Sequence, residues 1–151
     1  MLMTGKNIEN LIIYHIHRIS RQWGRQSANL YEREFGLKLS EVWVLQLIGD
    51  FPDTTISQLT GHSHMDKAAI SRAVSGLERK KLVTRLAQPD DRRLIRLALS
   101  AAGQEVYAKV VPLREGRQKR LEARLDAGDR AALFRAFDKI YAQLGSEVAD
   151  D

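Results

Sequence analysis

The residues best suited to chemistry lie between positions 66 and 96, and that chemistry is hydrogen bonding rather than bond making. With Ile70 at zero and 100° per residue, Ala73, Val74 and Leu77 cluster beside it, while Ala68, Ser71, Arg72, Ser75 and Arg79 cover the opposite side. Lys67 precedes them. One face is apolar and the other is small, hydroxylated and basic. A helix of this kind docks through its apolar side and offers donors from a face slim enough for a groove about 12 Å wide. Arg72 suits a bidentate contact to guanine, and Ser71 and Ser75 suit bases or phosphates. Further on, Asp90-Asp91-Arg92-Arg93 sets two arginines on a short projection, fit for the electronegative minor groove, with Asp91 able to orient one of them.

The charge distribution agrees. Nine bases and four acids lie between Asp66 and Arg96, so the net charge of +5 is concentrated there; the rest of the chain has fifteen of each. A local basic excess favours a polyanion, because neutralising phosphates releases counterions. Solvated charged faces are common, so this excess gains weight only beside the helix pattern.

Other chemistries find little support. The 151 residues hold no cysteine, which removes disulfides and thiolate sites. His15 and His17 stand about 200° apart on a helix and cannot share an ion. His62 and His64 flank a turn without a clear third ligand, so no metal and no cofactor are expected. No Gly-x-Ser-x-Gly, His-Glu-x-x-His or phosphate-binding glycine loop is present, and the chain does not read as an enzyme. The segment Met1–Asn7 lacks a signal-peptide pattern, and no apolar run approaches the roughly 18 residues of a membrane span. A soluble, cytoplasmic protein without membrane contact is expected.

The elements that position the basic face follow from periodicity. Ile8, Leu11, Ile12, Ile16, Ile19, Trp23, Leu30, Tyr31 and Phe35 predict one long amphipathic helix ended by Gly36. Ser40 is expected to cap a second, apolar helix that gives way at Gly49, Phe51 and Pro52. Thr55-Ile56-Ser57-Gln58 has capping-box spacing and opens a short helix through Thr60, closed by Gly61. Asp66 caps the next helix, to about Lys81, which completes a helix-turn-helix. Leu82–Ala87 and Leu94–Leu99 read as strands around a Pro89-Asp90-Asp91 turn. Ser100 caps a helix to about Leu125 that should bend at Pro112, and Asp126 caps the last. Apolar stripes at both ends need burial, either against a second copy or by folding back on the same chain.

The run Met65-Asp66-Lys67-Ala68-Ala69-Ile70-Ser71-Arg72-Ala73-Val74-Ser75-Gly76-Leu77-Glu78-Arg79-Lys80-Lys81-Leu82-Val83, with Asp90-Asp91-Arg92-Arg93 and Leu99-Ser100-Ala101-Ala102-Gly103, closely resembles the MarR family of regulators. The resemblance implies a mainly α fold with a small β-hairpin wing. In it, residues 1–38 form an N-terminal dimerisation helix, 39–99 a winged helix-turn-helix lobe, and 100–151 the C-terminal dimerisation helices. It further implies a triangular homodimer straddling palindromic double-stranded DNA. The helix residues Lys67, Ala68, Ser71, Arg72, Ser75 and Arg79 would face the major groove, and Arg92 and Arg93 the minor groove, oriented by Asp91. Family members commonly repress a nearby gene until a small aromatic or phenolic ligand binds between dimer helices and DNA lobe. By analogy Tyr14, His17, Arg18 and Trp23 are ligand candidates, whereas Trp43 is expected to pack in the core. Lack of cysteine sets the chain apart from the family's peroxide-sensing branch. A winged-helix adaptor that binds protein instead of DNA is the alternative.

Overall fold

The computed structural model describes residues 7–87 and 95–149. A 3-10 turn, Ile8–Asn10, precedes α1 (Ile12–Phe35), α2 (Leu39–Asp50), α3 (Ile56–His62) and α4 (Lys67–Arg79). Strands β1 (Val83–Ala87) and β2 (Ile95–Leu99) follow, then α5 (Ala101–Glu122) and α6 (Ala127–Ala149). The chain is mainly helical with one antiparallel hairpin, and it divides into two compact units after Val110.

In the first unit, the expected single helix from Ile8 is interrupted. The Asn7 side chain accepts the Glu9 N–H at 3.1 Å and caps the 3-10 turn, and extended Leu11 separates that turn from α1. Apolar spacing runs unbroken across the interruption, so periodicity could not register it. Gly36 ends α1 as expected: at φ 63° its N–H donates to the Glu32 carbonyl, and the Leu37 N–H reaches back to Tyr31.

Two expectations for α2 are corrected. The helix starts at Leu39, so Ser40 lies in its first turn and Lys38 takes the cap position; the Glu41 carboxylate accepts the Lys38 N–H at 2.8 Å. It also continues through Gly49 and ends at Asp50, with Phe51, one of the expected breakers, at its C-cap. Glycine stands at position 49 because the Tyr107 ring lies against it, where a Cβ would collide. Val42, Val44, Leu45 and Ile48 are buried, which makes α2 the central helix of the unit. Trp43 is 39% exposed and meets His64 edge-on, contrary to the expected core role.

The capping box of α3 forms: Thr55 Oγ1 accepts the Gln58 N–H, and Gln58 Oε1 accepts the Thr55 N–H. This helix passes through Gly61 to His62, two residues beyond the expected end. Asp66 caps α4 by accepting the Ala69 N–H at 2.7 Å. Ile70, Ala73, Val74 and Leu77 are buried, joining Leu37, Leu45, Ile48, Leu59 and Leu97 in one core. Burying each large aliphatic side chain contributes about 1.5–3 kcal/mol, and this apolar contact fixes which face of α4 is left outward.

The strands pair from Val83 opposite Leu99 to Ala87 opposite Ile95. A third segment joins them, because the Leu97 N–H donates to the Thr54 carbonyl at 2.7 Å. Beside it, Arg96 donates to the carbonyl of Asp53, a residue held at φ 59°. Ser100 caps α5 as expected, accepting the Gly103 N–H, while its own hydroxyl donates to the Lys81 carbonyl.

In the second unit, residues 111–149, α5 continues through Pro112 and ends at Glu122, short of the expected Leu125. Asp126 caps α6 by accepting the Asp129 N–H at 2.8 Å. The Glu122 carboxylate accepts hydrogen bonds from Gln118 and then Arg130, which hold its carboxyl below the usual range. Leu133, Phe134, Tyr141 and Leu144 of α6 are exposed. No helix among the described residues is long and apolar enough to cross a membrane.

Candidate nucleic-acid interface

The core that swallows one side of α4 presents the other. Lys67, Ala68, Arg72, Ser75 and Arg79 are exposed and Ser71 is half-buried; the last five share the face opposite Ile70, and Lys67 stands at the start of the helix beside it. Ser75 Oγ donates to the Ser71 carbonyl at 3.0 Å, an i to i−4 bond that leaves its lone pairs outward. Among the described residues no hydrogen bond or ion pair ties down the guanidinium of Arg72 or Arg79, and both are free to meet an anion. Asp91, Arg92 and Arg93, the predicted wing contacts, lie outside the described residues.

A broad depression runs along this face, lined from α4 by Ser71, Arg72, Ser75, Glu78 and Arg79 and from the start of α2 by Lys38 and Ser40. The last two were not foreseen, since nothing in the linear pattern brings residues thirty positions upstream beside α4.

Not every base of the 66–96 run is available. Lys80, though exposed, is engaged within the chain, its ammonium donating to Glu41 at 2.6 Å and to the Gly36 carbonyl at 2.8 Å. Arg85 on β1 pairs with Glu78 of α4 at 2.8 Å. The basic face is therefore narrower than the residue count implies and centres on Arg72 and Arg79.

The ligand candidates all belong to α1. His17 and Arg18 are exposed, Tyr14 and Trp23 half-buried, and none of the four lines the depression beside α4. Tyr14 packs edge-on to His15, whose Nε2 lies 2.7 Å from the Glu9 carbonyl oxygen. His62 stacks on Phe51 with ring centroids 4.3 Å apart, and His64 meets Trp43 at 5.4 Å, so each turn histidine is paired with an aromatic ring.

Comparison with known proteins converges on this arrangement. Residues 35–94 match the model of the MarR family. The HTH-type transcriptional regulator YsmB of Bacillus subtilis (strain 168) is 26% identical over 118 residues, 75% of this chain and 78% of YsmB. A MarR/EmrR family transcriptional regulator from Acinetobacter sp. ADP1 superposes with a TM-score of 0.85 at 24% identity, covering 93% of this chain and 99% of that one. Streptococcus pneumoniae FabT, solved in complex with DNA, gives a TM-score of 0.75 at 20% identity over 89% of this chain and 96% of its own. The helix order and two-stranded hairpin match these folds, and residues 35–94 of the chain are similar to the MarR family of winged helix-turn-helix regulators.

Proposed function

We propose that the chain is a sequence-specific DNA-binding transcriptional regulator that works as a homodimer in the cytoplasm, by binding and not by catalysis. One observation carries this reading: α4 is clamped into the core by Ile70, Val74 and Leu77, while Arg72 and Arg79 stand outward without partners among the described residues. A rigid helix with unengaged guanidinium groups suits the major groove, where arginine reads guanine. The DNA complex of FabT, a protein of the same fold, supports DNA as the partner. In this reading Lys67, Ala68, Ser71, Arg72, Ser75 and Arg79 meet the major groove, and Arg92 and Arg93, with Asp91 behind them, the minor groove.

The homodimer rests on exposed apolar side chains at both ends: Ile8, Leu11, Ile12 and Ile19 near the start, and Leu133, Phe134, Tyr141 and Leu144 on α6. Such side chains bury readily against a second copy. Two recognition helices then address a palindrome with half-sites about one helical turn, ~34 Å, apart. The regulator represses a nearby gene and is released by a small aromatic anion, for which His17 and Arg18 supply charge and Tyr14 and Trp23 supply rings.

Selection of duplexes from a random DNA pool at about physiological salt tests the central claim. An enriched inverted repeat with that spacing is the expected result. Retention of no DNA would overturn it in favour of a protein-binding adaptor built on the same fold.

A further inference from the structure

The base at the end of α4 that is held by an ion pair carries a second inference, which rests on α4 being the DNA-reading helix. Glu41 has a side chain only 6% exposed, yet it is a carboxylate. One of its oxygens accepts the Lys38 N–H at 2.8 Å and the Lys80 ammonium at 2.6 Å; the other lies against Gly76, where an added Cβ would displace it. Lys80 also donates to the carbonyl of Gly36 at 2.8 Å. A single cation at the end of α4 thus grips the last residue of the α1 cap and the first turn of α2. A carboxylate withdrawn from water needs such partners, so its position is tightly determined, and Gly76 lets α4 approach closely enough for the grip to form.

We propose that the Glu41–Lys80 pair, seated on Gly76, sets the angle of the recognition helix against the α1–α2 corner, and that Lys80 serves operator binding as a positioning residue without touching DNA. Two half-sites must be met at once by two such helices, so a small change in angle weakens the operator complex. Non-specific binding, which follows the phosphates alone, tolerates it.

The test uses the full-length protein, the duplex recovered by selection and a scrambled duplex of equal length, over a range of salt concentrations. Lys80→Met is expected to lower operator affinity about tenfold and scrambled-duplex affinity by less than about twofold, with the salt slope unchanged and the preferred half-site spacing broadened. Gly76→Ala, which alters no charge but displaces the Glu41 carboxylate, should give the same pattern. Because an unpaired Glu41 could unfold the lobe, the double variant Glu41→Gln with Lys80→Met is measured alongside; it removes both charges and should still show the broadened spacing. A salt slope reduced by about 0.9 in Lys80→Met, with equal loss on both duplexes, would assign Lys80 to a phosphate and overturn the proposal. Unaltered operator affinity and spacing in all three variants would overturn it too. Absence of any recovered operator with the unaltered protein would instead defeat the DNA-binding reading, and this proposal with it.

Discussion

Gly103, in the first turn of α5, faces the carbonyl oxygen of Leu82 at a separation that leaves no space for a methyl group. The same oxygen accepts the Ser100 N–H at 3.0 Å, and Ser100 in turn caps the helix that contains Gly103. The end of the recognition helix, the root of the wing and the start of α5 are thereby joined within a few residues. Gly103→Ala should cost about 1–3 kcal/mol, read as a lower urea midpoint, because the backbone oxygen it meets cannot swing aside like a flexible side chain. An unchanged midpoint would mean that the joint is slack.

Lys81 next to it adopts φ 59°, a left-handed conformation that favours glycine. Lys81→Gly should relieve that strain and raise stability by up to about 1 kcal/mol in denaturant melts, with the Schellman-like return of the Leu82 N–H to Leu77 preserved.

Loss of the cap at the other end of α4 acts in the opposite direction. Asp66→Ala leaves the Ala69 N–H without its 2.7 Å acceptor and should destabilise by about 1 kcal/mol. Asp66→Asn, which keeps the acceptor, should recover most of that difference when both variants are compared by urea denaturation.

On the proposed DNA surface, charge and base reading should separate. Arg92→Ala with Arg93→Ala is expected to weaken binding to all sequences and flatten the salt dependence, whereas Arg72→Ala relaxes preference at one base position. Equilibrium titrations against matched and mismatched duplexes check both, and intact affinity in both variants would remove the surface.

The exposed apolar face of α6 should betray its partner by sedimentation. Leu133→Asp with Phe134→Asp is expected to convert a dimer at micromolar concentration to a monomer, since two charges on an apolar contact cannot be buried unpaired. A parent protein that already sediments as a monomer would remove both the dimer and the spaced operator.

What the amino-acid order determined by itself was local. The Thr55–Gln58 box, the caps at Asp66, Ser100 and Asp126, the Gly36 stop, the paired strands and the apolar face of α4 all depend on side chains within a few residues of the backbone they act on. Periodicity therefore exposes them. The tertiary structure decided what depends on residues far apart in the chain. Gly49 and Gly61 look like helix stops, yet α2 and α3 continue through them, and at Gly49 the Tyr107 ring lies against the backbone. Trp43 looks like core, yet its place on α2 leaves it outside against His64. Above all, Lys80 and Arg79 are adjacent bases in one run, and helical spacing marks only Arg79 for the outer face. Only a carboxylate thirty-nine positions upstream, buried beside Gly76, engages one of them in an ion pair and leaves the other unpaired among the described residues.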